Sequence, residues 1–137
     1  MVNLAIEGKR YPRTPSYLVG REKLREFARA TFLPDNVDSA EVAPPTFAVV
    51  IQEQSLKQVL SDPEAKLDFS RVVHGDQRFV YERPILAGDE LTSELLVASI
   101  KTLAGNHLVT FNTEIFDSSN KLVCTAISTL VVRGENA

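Results

Sequence analysis

Few side chains in this sequence can move a proton or attack a carbonyl, and they are scattered. The chain has two histidines and one cysteine. His74 stands two residues before Asp76 in the stretch VVHGDQRFVY, residues 72–81, and a histidine beside a carboxylate is a natural acid/base pair. In an extended strand, residues i and i+2 share a face about 7 Å apart, too far for a direct bond. Gly75 between them permits a bulge that brings them closer. Three readings therefore stand side by side: an acid/base pair, a ligand or subunit contact, and a structural histidine bonded to backbone with Asp76 capping a turn or paired with Arg78. Cys124, between Val123 and Thr125, has no histidine near it in sequence to activate it and reads as a small buried apolar residue. His107 follows the AGN turn and is expected to be exposed. Asp35, Asp38 and Glu41 precede the proline pair Pro44-Pro45. Neither a metal nor a cofactor is expected from this set.

The elements that must position these groups fall into two halves. GREKLREFARATF, residues 20–32, places Leu24, Phe27, Ala28 and Phe32 at helical spacing, with Arg21, Glu22, Arg25, Glu26 and Arg29 toward solvent. After a polar, proline-bounded loop comes PTFAVVIQEQSLKQVL, residues 45–60, whose first turn has no polar side. A helix apolar all round at its start is expected to be buried all round there. Pro45 suits the first turn, and Ser61, Asp62 and Pro63 stop the helix after roughly 16 residues, about 24 Å. Runs at about 70 to 83, 89 to 102, 107 to 117 and 121 to 133 then favour β-branched and aromatic residues. In HLVTFNTEIF, Val109, Phe111, Thr113 and Ile115 share one face, as in a sheet covered on one side. LAGN and DSSN read as hairpin loops, and ERPILAGD as a structural turn launching the next strand. The predicted architecture is α+β: a curved, mainly antiparallel sheet, completed by a strand near residues 11–17, wrapped around one buried central helix, with a short surface helix outside. This is the hot-dog fold.

Length, charge and composition bound the function. The 137 residues, 44% of them hydrophobic, suit one domain with a single core. A net charge of −3 without a long basic run argues against nucleic acid or an anionic membrane as partner, and favours a small neutral or apolar ligand. No window approaches the roughly 18 apolar residues that span a bilayer, and the N-terminus is charged where a signal peptide would be apolar. A cytoplasmic protein is expected.

Three motifs in order carry a resemblance: VGREKLREFARAT, then APPTF opening the buried helix, then VVHGDQRFVYERPILAGDEL. Together they resemble the N-terminal, non-catalytic half of the MaoC-like (R)-specific hydratase/dehydratase family, and most of all the small actinobacterial subunits of (3R)-hydroxyacyl-ACP dehydratase. The similarity runs over residues 19–132. It implies a fatty acyl thioester on acyl carrier protein or coenzyme A, and reversible loss of water from a (3R)-3-hydroxyacyl chain to give a trans-2-enoyl product. Such chemistry needs a base at C2, an acid at the C3 hydroxyl and donors for the thioester oxygen. The helix opened by Pro44, Pro45, Thr46 and Phe47 is placed to supply those donors. Active members carry the acid and base in a D-x-N-P-x-H motif on the loop into this helix. Here that loop reads DNVDSAEVAPPTF, with no histidine. The resemblance thus implies substrate-binding roles for Pro45, Thr46, Phe47, Val50, Ile51, His74 and Gln77, His74 at a pantetheine arm or an interface. It also implies a second hot-dog subunit bringing the catalytic dyad. Two alternatives remain: a non-catalytic acyl-binding homodimer, and a hot-dog thioesterase using Asp38 or Glu41.

Overall fold

The computed structural model describes residues 1–33 and 40–134. Five strands form one antiparallel sheet in the order β1-β3-β4-β5-β2: β1 (Tyr17–Leu18), β2 (Val72–Tyr81), β3 (Glu90–Leu103), β4 (Asn106–Phe116) and β5 (Leu122–Val132). Among the described residues two long helices accompany it, α1 (Arg21–Ala30) and α2 (Ala48–Leu60). The sheet curls around α2, which is the hot-dog arrangement read from the sequence, and the four long strands end within two residues of their predicted limits.

Period-two burial explains how the sheet closes on the helix. Along β4, His107, Val109, Phe111, Thr113 and Ile115 are buried while their neighbours are only partly covered. His107 shares the parity of that inner face. It is 4% exposed, so the expectation of an exposed residue is corrected: the face of the pleat outweighs the adjacent turn. In that turn Ala104 and Gly105 both have positive φ, 51° and 80°, the pattern of a two-residue hairpin matched to strand twist.

Helix α2 presents Ala48, Ile51, Gln52, Ser55 and Val59 to the sheet. Its centre is pinned by hydroxyls in an otherwise apolar core: Ser55 Oγ lies 2.7 Å from Ser93 Oγ, and the Ser93 amide donates to Thr14 Oγ1 at 2.9 Å. The hydroxyls of Thr14, Ser55 and Ser93 thus each have a partner, which makes this network specific. Two expectations for α2 are corrected. The α-helix spans 13 residues rather than 16, because residues 45–47 form a tighter turn in which Phe47 N–H bonds Pro44 O at 2.9 Å. Nor is its start buried all round, since Val49 and Val50 are only half-buried.

Elsewhere the chain departs in two places. The segment before Tyr17 follows β3, with Tyr11 N–H on Leu95 O at 2.9 Å and Thr14 N–H on Ser93 O at 3.0 Å. Only Tyr17–Leu18 qualifies as a strand, because Pro12 and Pro15 have no amide to donate to a regular ladder. In α1, Leu24 and Ala28 are buried and the Phe27 ring meets Phe47 edge-on at 5.3 Å. Phe32 does not share that face: the helix stops at Ala30, and Phe32 is 95% exposed at φ 61°.

Candidate functional site

The N-terminus of α2 is where an anionic oxygen would gain most from backbone donors. In this chain those donors are engaged. Val49 N–H bonds Thr46 O at 3.2 Å and Val50 N–H bonds Phe47 O at 2.9 Å. The Tyr81 hydroxyl, from the end of β2, donates to the Pro45 carbonyl and meets the Ala48 amide. Burial is the main reason the Tyr81 hydroxyl holds its proton well above the usual phenol range. Cys124 lies beneath it, fully buried, its thiol pushed up to about 11 chiefly by burial, so it stays an unreactive thiol at neutral pH.

The predicted residues are distributed unevenly around this point. Pro45 and Thr46 are exposed at the mouth of the helix. Pro45 lines a cleft of about 500 Å³ with Val42, Ala43, Tyr81, Pro84 and Ile85. Phe47 and Ile51 are wholly buried in the core and line neither this cleft nor the one described next, and Val50 packs beside them. Glu41 is paired with Arg21: its two oxygens lie 2.8 and 3.1 Å from guanidinium nitrogens, and the hydrogen bond from Arg21 holds its carboxyl below the usual range. Neither oxygen is left unbonded to serve as the thioesterase base. Asp35 and Asp38 lie outside the described residues.

A second, apolar cleft of about 370 Å³ runs along the uncovered side of α2, a volume typical of small-ligand sites. Val49, Leu56 and Leu60 form one wall, with Phe69, Val72 and Leu130 opposite. None of these was singled out from the sequence. The available signal was that Val49, Leu56 and Leu60 fall outside the stripe that packs on the sheet. His74 and Ser128 lie at the cleft's polar rim.

His74 and Asp76 flank a bulge at Gly75, yet the bulge does not join their side chains. His74 Nε2 lies 3.1 Å from the Asp76 backbone carbonyl and 3.2 Å from Ser128 Oγ. The Asp76 carboxylate instead faces Arg78 Nε at 3.7 Å, both exposed. Gln77 turns inward and donates to Gln52 Oε1 of α2 at 2.9 Å, tying strand to helix beside the cleft. His107 stands apart at the start of β4, its Nδ1 3.1 Å from Thr102 Oγ1.

Comparison with known proteins places the chain. Residues 5–126 match the family model described as "FAS1-like, dehydratase domain region", and the chain belongs to that family. It is 52% identical to a UPF0336 protein of Leifsonia xyli subsp. xyli, over 98% of this chain and 97% of the relative. A UPF0336 protein of Streptomyces avermitilis is 47% identical over 92% of this chain and 91% of its own length. Among solved structures, the C-terminally truncated HadBC (3R-hydroxyacyl-ACP dehydratase) complex of Mycobacterium tuberculosis superposes with a TM-score of 0.77 at 30% identity, covering 92% of this chain and 96% of that one. A MaoC-like dehydratase gives a TM-score of 0.79 at 28% identity over 96% of this chain, but 43% of its own longer chain. The resemblance to MaoC-like dehydratases read from the motifs is thereby shown. Among the described residues no helix is long and apolar enough to cross a membrane.

Proposed function

We propose that this chain, as one hot-dog domain, is the acyl-holding subunit of a cytoplasmic (3R)-3-hydroxyacyl-thioester dehydratase whose Asp/His dyad comes from a second hot-dog subunit. The observation that carries the reading is the state of the α2 N-terminus. Neither of the chain's two histidines stands there, and the Tyr81 hydroxyl occupies it. In the dehydration a base takes the C2 proton, an acid protonates the C3 hydroxyl, and water departs with the C3–O bond as the C2–C3 double bond forms. This chain's part is to bind the apolar tail in the cleft beside α2 and leave proton transfer to its partner. The HadBC likeness supports a partner that is also a hot-dog chain, and the edge strand β2 is a natural surface for it, because its outer side has no neighbour in the sheet.

A homodimer is the second reading, and one observation favours it. If two β2 strands paired antiparallel about Gln77, Asp76 of each copy would face Arg78 of the other, a self-complementary charge pattern suited to a twofold interface. Reconstitution tests the first reading against the second. Purified alone, the chain is expected to leave trans-2-enoyl-CoA unhydrated, as followed by its ultraviolet absorbance. Activity should appear when a hot-dog chain carrying D-x-N-P-x-H is added and a heterodimer forms. A stable homodimer that gains no activity from any such chain would favour the second reading.

A further inference from the structure

We propose that a small cavity at the His107 end of the sheet is an oxyanion site, separate from the acyl cleft and independent of the dehydratase reading. Its volume is about 150 Å³. One water occupies about 30 Å³ in the liquid, so the space suits a phosphate-sized anion with residual water better than a single solvent molecule. Lys66, Arg71 and Arg133 line it, against one carboxylate, Asp68. One oxygen of that carboxylate is engaged: Oδ1 accepts the Ser70 amide at 3.0 Å and the Ser70 hydroxyl at 2.6 Å.

Two further observations point to a ligand. His107 lines the cavity and is 4% exposed, with Nδ1 held near Thr102 Oγ1 at 3.1 Å, and its Nε2 is buried without a partner among the described residues. Buried polar atoms are nearly always bonded, so an unmet nitrogen on a ring that lines a cavity bordered by cations fits an anion's oxygen. Arg71 is fixed in place by its own donors, Nε to the Arg133 carbonyl at 2.9 Å and one terminal nitrogen to the Gly134 carbonyl. A guanidinium has five N–H donors, and the others of Arg71 have no partner among the described residues. The turn that supplies Arg71 also carries Phe69 on the acyl cleft, so one short segment borders both sites.

The recognised chemistry is a phosphate group, free or at the end of a larger molecule. The test titrates the full chain with inorganic phosphate, and in parallel with methyl phosphate, at constant ionic strength set with chloride. The imidazole nitrogens of both histidines are followed by NMR. A saturable shift of the His107 Nε2 resonance with His74 unmoved is the expected result, and Lys66→Gln should weaken the apparent affinity about tenfold without changing the unfolding midpoint. Equal binding of methyl phosphate would identify a site for phosphate monoesters, while loss of binding on methylation would identify one for the free ion. No saturable response at His107, or one unaffected by Lys66→Gln, would mean that water alone fills the cavity and would overturn the proposal. Because Lys66 is exposed, the test does not depend on a buried-site variant that could fail to fold.

Discussion

The two ends of α2 are finished in opposite ways. At the N-terminal end the chain satisfies its own polar groups: Tyr81 meets Pro45 and Ala48, and Glu41 is held by Arg21. Nearby, Asp89 Oδ2 takes both Arg83 and the Leu86 amide at 2.8 Å, which locks the turn before β3. Along the side and toward the far end, the apolar walls of the cleft stand uncovered and His107 Nε2 has no partner among the described residues. A catalytic hot-dog helix needs open donors and titrating groups at its start. Here the start is closed and the flank is open, which supports the proposed role of holding a ligand for chemistry done on a partner.

That contrast can be broken or sharpened by substitution. Phe47→Ala removes a fully buried ring that meets Phe27 edge-on and should cost about 3–5 kcal/mol in denaturant unfolding, collapsing the closed end. Tyr81→Phe keeps the ring but strands the Ala48 amide and the Pro45 carbonyl, for about 1–2 kcal/mol. The reconstituted activity should stay unchanged, since in the proposed pair this helix start is not the donor in use. Phe69→Ala acts on the open flank. Phe69 is 66% exposed, so stability should move by less than about 0.5 kcal/mol, while affinity for a long acyl thioester, measured by calorimetry, should fall about fivefold.

The smallest effect concerns pH. Asp62 is held down to about 2, first by the hydrogen bond from Lys9 and then by that from Tyr11, both at 2.7 Å. A carboxylate depressed in the folded state stabilises above its unfolded value, and that contribution fades as pH falls through the range between the unfolded value and about 2. Asp62→Asn should therefore flatten the acid limb of the thermal midpoint between about pH 4 and pH 2 and leave the neutral region nearly parallel to the parent.

Much of the fold was legible because alternation and helical spacing report local burial directly. The four long strands, the buried helix and the missing histidine before APPTF are all local patterns. Misreadings arose where a second local signal competed: His107 was assigned by its turn rather than by the parity it shares with Val109, and Phe32 by a spacing that outlasts its helix. The closed helix start was not legible at all, since Tyr81 reaches Pro45 from 36 residues away. The apolar cleft likewise needs Phe69, Val72 and Leu130 brought against α2 from separate segments. His74 and Asp76 show the limit of spacing as a guide: the bulge formed, but the carboxylate turned to Arg78 instead.

In the proposed pair, acid/base work belongs to the partner. The direct measurement is the turnover of the reconstituted pair with His74→Ala in this chain, beside the pair in which the partner's D-x-N-P-x-H histidine is replaced. His74→Ala is expected to leave kcat within about twofold, while the partner's substitution lowers it by about 10²–10⁴. A comparable loss from His74→Ala, or robust hydration by this chain alone that His74→Ala abolishes, would contradict it.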